Sequence, residues 1–248
     1  MTTVCILEED SDYRRISVEG KLLMAVLVCL VSCTSVLAQG PPVHWRYTGA
    51  MPPGAIGRLR LFSGKPLSGF YQPVKIRVPQ GARIGPAVGS SFELGQADQL
   101  LVGLQVGPVY RFRVTEIPHH PGLEVYPTVE LIDRLHPPPG EQLRYPIPIE
   151  LTHEELMTAA EGRFVTRVIY LEDPALAPAI ARDAEEQPWI EALAGEDPLV
   201  TADELGRPMA IVRLGGRVPV ENQRDEAFLY GAPPAVTYEQ PQQSVAAQ

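Results

Sequence analysis

Val109-Tyr110-Arg111-Phe112-Arg113-Val114 alternates apolar and charged side chains from Tyr110 onward. A period of two puts Tyr110, Phe112 and Val114 on one face of a strand and Arg111 and Arg113 on the other. A strand of this kind has one dry face and one wet face. Outward from it, short apolar runs recur between turn residues: Arg58–Phe62, Gln72–Val78, Ser91–Leu94, Leu100–Val106, Leu123–Asp133, Pro148–Leu151, Arg163–Leu171 and Met209–Leu214. Pro121-Gly122 and Pro137-Pro138-Pro139-Gly140 punctuate them. This spacing predicts a mainly β fold, a β-sandwich of immunoglobulin-like or similar kind, with a barrel as the other closure. Phe164 to Leu171 is apolar on both faces, which predicts a central strand.

One or two short helices are expected beside the strands. Thr152 can cap a helix whose third residue, Glu155, completes a capping box, and Gly162 stops it. A second helix spans Asp197 to Leu205, ended by Gly206 and Pro208. Residues 174–195 are rich in Ala and acids and read as partly helical. Composition sets the rest of the plan. The chain has 248 residues and 26 prolines. All the prolines follow residue 38, about 12% of that part against a usual ~5%. Proline removes an amide donor and breaks helix interiors, so an α-bundle is excluded. Residues 39–57, with Gly40-Pro41-Pro42 and Met51-Pro52-Pro53-Gly54, read as an extended linker or arm, whose Trp45 and Tyr47 are expected to dock onto the domain, with a partner as the other docking surface. Residues 58–215 read as the sandwich, and residues 216–248, which lose apolar periodicity, as a disordered tail.

Residues 1–38 read as a signal peptide or a membrane anchor. Leu22 to Ala38 is one apolar run, preceded by Arg14, Arg15 and Lys21 and closed by small residues. Val36-Leu37-Ala38 fits a signal-peptidase site before Gln39. Leu30-Val31-Ser32-Cys33 also has the form of a bacterial lipobox, which would lipidate Cys33. An uncleaved anchor is the third alternative, since about 17 apolar residues are at the short end for a span. Glu8, Glu9, Asp10 and Asp12 make the leading segment unusually acidic, and Met24 offers a start without them. The chain is therefore expected to be exported, periplasmic or secreted. All three cysteines, Cys5, Cys29 and Cys33, precede the arm. Beyond Cys33 there is no disulfide, thiolate nucleophile or zinc-thiolate site to invoke.

The chain carries 21 basic and 30 acidic residues, a net charge of −9. After residue 38 the basic residues are arginines apart from Lys65 and Lys75, and they are scattered. Such a surface is a poor partner for nucleic acid or for an anionic membrane. Contact with a membrane is expected only through the N-terminal segment. Neither Gly-x-Ser-x-Gly nor Ser-x-x-Lys occurs, nor a phosphate-binding glycine loop.

Gly69-Phe70-Tyr71-Gln72-Pro73-Val74, Val109–Val114, Glu124-Val125-Tyr126-Pro127-Thr128-Val129-Glu130, Pro146-Ile147-Pro148-Ile149 and Gly162–Pro174 resemble a family of uncharacterised secreted bacterial proteins of unknown function. The resemblance runs from about Gly69 to Arg217. It implies export and brings no catalytic residue with it.

Four constellations carry potential chemistry. His119 and His120 sit between two strands, with Glu116 and Glu124 flanking, where imidazoles and carboxylates can hold Zn²⁺ or Cu²⁺. Adjacent residues point apart, so His136 or His44 would have to supply a third ligand. His153-Glu154-Glu155 opens like the zincin HExxH motif, but Met157 stands at the second ligand position and the capping box explains the segment. The carboxylate pairs Glu154/Glu155, Glu172/Asp173 and Glu185/Glu186 read as solvated surface. Arg111, Arg113, Arg163 and Arg167 admit two readings: pairing across strands with Glu124 and Glu130, or lining a groove for an anionic glycan or peptide carboxylate. The expectation is a non-catalytic envelope module that binds an envelope protein or glycan and needs no cofactor. A secreted hydrolase or metal-dependent enzyme using the His119/His120 loop is the alternative.

Overall fold

The computed structural model describes residues 47–63, 69–175, 187, 190, 192, 195–220 and 225–239. Cys33, Ala38, Gln39, His44, Trp45 and most of the Ala- and acid-rich stretch lie outside the described residues. Strands β1 (Gln72–Arg77), β2 (Arg83–Val88), β3 (Ser91–Phe92), β4 (Gln96–Ala97), β5 (Gln99–Leu104), β6 (Val109–Thr115), β7 (Thr128–Leu131), β8 (Ile147–Glu150), β9 (Val165–Glu172), β10 (Gly206–Leu214) and β11 (Val236–Thr237) form two sheets. One has the order β11-β5-β1-β8. The other runs β3-β2-β6-β7-β10-β9, with β4 also paired to β2. All pairs are antiparallel except β1 with β8.

The fold is a β-sandwich. Val74, Ile76, Val102, Leu104, Ile147 and Ile149 from the smaller sheet share one buried core with Tyr110, Phe112, Val114, Val129 and Leu131 from the larger. Hydrophobic burial across this seam is the main stabilising term. Helix α2 (His153–Ala160) closes one side through Leu156 and Ala159, both buried. Its N-terminus carries the expected capping box: Glu155 N–H donates to Thr152 Oγ1 (3.2 Å) and Thr152 N–H donates to Glu155 Oε2 (2.9 Å).

Several elements differ from the sequence reading, each for a physical reason. Arg58–Phe62 is not a strand but part of helix α1 (Ala55–Ser63). Its Leu-Arg alternation mimics a strand, yet Ala, Leu and Arg are strong helix formers. Of its large apolar side chains Ile56 is buried, whereas Phe62 is 87% exposed. β2 was hidden by Gly85 and Pro86, residues that usually mark breaks. Gly85 is required there, because a Cβ would come within 2.7 Å of the Glu93 carbonyl oxygen. Only Thr128–Leu131 of the Leu123–Asp133 run is a regular strand. β9 is the last strand of its sheet rather than a central one. Its two apolar faces arise because Ile169 meets the core while Val168 packs under Tyr47, Ile56 and Leu199.

That last cluster is part of an outer layer. The arm from Tyr47, α1 and helix α3 (Pro198–Leu205, capped by Asp197) cover the outer face of the larger sheet at β7, β10 and β9. The arm is thus not an extended linker from Tyr47 onward, and the folded domain begins before residue 58. Its docking is tight: a Cβ on Gly57 would lie 2.6 Å from Gly107 Cα. The other outer patch belongs to residues 225–239, which were expected to be disordered. They form helix α4 (Glu226–Leu229) and β11, with Phe228 fully buried and Val236 paired to Gly103. A four-residue helix and a two-residue strand are too short to show a period in the sequence.

Candidate functional site

His119 and His120 occupy the turn between Val114 and Val125, two residues bridged across the loop base. His120 N–H donates to the Ile117 carbonyl (3.0 Å), and His119 adopts a left-handed φ of 66°. The two rings do not converge on one point. His119 lines an open depression of about 430 Å³ with Thr115, Glu116, Ile117, Leu123 and Glu124. His120 instead faces His153, the first residue of α2, with ring centres 5.5 Å apart. Among the described residues no three His, Cys, Asp or Glu side chains gather to hold a metal.

The four arginines do not share one face. Arg111 is buried beneath α4, where Nε donates to the Phe228 carbonyl (3.0 Å) and Nη1 to the Tyr126 carbonyl (2.7 Å). Its guanidinium carbon lies 4.2 Å from the Phe228 ring centre, a cation–π contact. Burial pushes its pKa down from the ordinary arginine value. Arg113 sits half-buried 3.8 Å from Glu124 and stacks over Phe92. Arg163 pairs with Glu161 at the surface (2.7 Å). Arg167 donates to both oxygens of Glu155 (3.0 Å each), to the Glu150 carbonyl and to Gln187 Oε1. Gln187 in turn bonds Glu150 N–H and the Pro148 carbonyl. This network ties β8 to β9, the end strands of the two sheets on that side.

One polar pair was not foreseen. Glu130, expected on a wet face, is fully buried and accepts from Arg213 Nη1 at 3.0 Å. The same carboxylate accepts Gly54 N–H (2.9 Å) and Gly57 N–H (2.8 Å) at the start of α1. Arg213 also donates to the Met51 carbonyl. A carboxylate at a helix N-terminus satisfies orphan donors and complements the helix dipole. The available signal was Glu130 between Val129 and Leu131 and Arg213 between Val212 and Leu214. A lone charge inside an apolar strand implies a buried partner.

Two tyrosines are strongly perturbed. Tyr110 hydroxyl accepts Gln105 N–H and donates to the Pro234 carbonyl, and burial pushes its pKa from 10.0 up to about 12. Tyr126 hydroxyl donates to Glu124, and burial followed by that carboxylate pushes it up as well. Both phenols are held neutral. Stability from Tyr110 is fully present below pH 10 and is lost as pH rises through about 12. The linked loss is about 2–3 kcal/mol. Urea unfolding between these pH values is expected to show that fall, and Tyr110→Phe to remove most of it.

No family model, curated protein or solved structure matches the chain. Among the described residues no helix is long and apolar enough to cross a membrane.

Proposed function

We propose that this chain is an exported, non-catalytic module of the cell envelope that binds or scaffolds an envelope protein or glycan. One observation carries the reading: the ionic side chains best suited to chemistry are tied into the fold. Glu130 holds α1, Glu155 and Arg167 hold the sheet ends, and Arg111 holds α4. Among the described residues several large apolar side chains face outward, with Phe62 87%, Leu94 80% and Phe164 69% exposed. Side chains of this kind contribute to a binding surface where they join into a contiguous patch. Export rests on the apolar run closed at Ala38. The acidic balance argues against nucleic acid as the partner.

Two measurements test the binding reading. The purified full chain, incubated with peptidoglycan fragments and with unfolded polypeptide, is expected to leave their masses unchanged. Product release would overturn the non-catalytic claim. A photoreactive residue at position 62, 94 or 164 is expected to give a defined envelope adduct in intact cells. Absence of an adduct at all three positions would overturn the binding claim.

A further inference from the structure

His120 and His153 are 33 residues apart in the chain, on a loop and on a helix, yet their rings meet. The ring centres are 5.5 Å apart and the planes inclined by 36°. His120 is exposed and His153 half-buried, so core packing does not account for the pairing. We propose that these two imidazoles are the protein ligands of a site for a divalent transition-metal ion, with water in the remaining positions.

The geometry fits. An ion about 2.1 Å from one nitrogen of each ring lies roughly 3.2 Å from each ring centre, so a tetrahedral angle sets the centres about 5 Å apart. The observed separation of 5.5 Å is close to this value. Imidazole ligands favour Zn²⁺, Cu²⁺ and Ni²⁺ over Mg²⁺ and Ca²⁺, which prefer oxygen. The positive end of α2 opposes a cation at His153, and Glu154 in the same first turn offsets it. Glu155 is not a third ligand, because Thr152 and Arg167 already hold both its oxygens. His119 is excluded by its left-handed backbone, which turns it into the open depression. The pair replaces the adjacent His119/His120 set that the sequence offers. The bound ion clamps the loop after β6 to the start of α2. The inference does not depend on export or on the nature of the partner.

The test uses the full chain without a histidine tag, stripped of metal. Calorimetric titration with Zn²⁺ is expected to show saturable binding of one equivalent. His120→Ala and His153→Ala each weaken binding at least about ten-fold, and His119→Ala changes it less than about two-fold. In the wild-type chain, Cu²⁺ is expected to broaden the ring proton signals of His120 and His153 before those of the other three histidines, a readout independent of any variant's folding. No saturable binding, binding that survives His153→Ala, or selective broadening at His119 would overturn the proposal.

Discussion

Glu130→Ala is expected to destabilise the domain by about 3–5 kcal/mol, the cost of leaving one partner of a buried ion pair uncompensated. Arg213 would then lie 4% exposed without its carboxylate, and the Gly54 and Gly57 amides would lose their acceptor. For a domain of this size that corresponds to a fall in Tm of roughly 10 °C. Arg213→Met is expected to cost less than Glu130→Ala, because Glu130 keeps its two amide donors at the start of α1. The double variant Glu130→Leu/Arg213→Met is not expected to recover wild-type stability, although a buried pair can often be replaced by apolar residues at little cost. Here the amides of α1 remain unsatisfied, each costing on the order of 1–3 kcal/mol. Urea unfolding of the three variants checks this ordering. A loss below about 1 kcal/mol for Glu130→Ala would show that α1 is not held by this carboxylate.

Phe228→Ala carries the second large effect, about 3–5 kcal/mol. Phe228 is fully buried, packs edge-on against Tyr126 at 5.4 Å and lies under Arg111. Its removal takes away the apolar cover of Arg111 as well as its own buried area. The lost contact also frees α4, so limited proteolysis is expected to cut between residues 225 and 239 in the variant and not in the wild type. Leu229, only 5% exposed beside it, gives a smaller version of the same test. Unchanged stability and an equally resistant segment would contradict the docking of α4.

The sequence made the sandwich legible where local chemistry and tertiary packing agree. Tyr110, Phe112 and Val114 point into the core as their alternation implies, and Thr152 with Glu155 caps α2. Asp197 likewise caps α3 by accepting Leu199 N–H at 2.9 Å. Legibility failed where a face that looked wet was covered by a distant segment. Arg111 alternates like a solvent residue, but α4, more than 100 residues later, buries it. Glu130 and Arg213 meet across 83 positions. α1 was misread because its anchoring group is not in the helix at all but on β7. The site suffered from the same blindness to long-range contact. The neighbouring histidines His119 and His120 face different surroundings, and the partner of His120 is the first residue of α2. Periodicity reports on one element at a time, whereas these pairings depend on which segments the topology brings together.

The claim that this is an exported module is tested most directly by the N-terminus of the full-length chain made in a bacterial host. Intact mass on separated cell fractions reads it. An exported module is expected to be processed in an envelope fraction, with a chain that begins at Gln39 and is released into the periplasm or medium. An unprocessed chain beginning at Met1 in the soluble cytoplasmic fraction would contradict it.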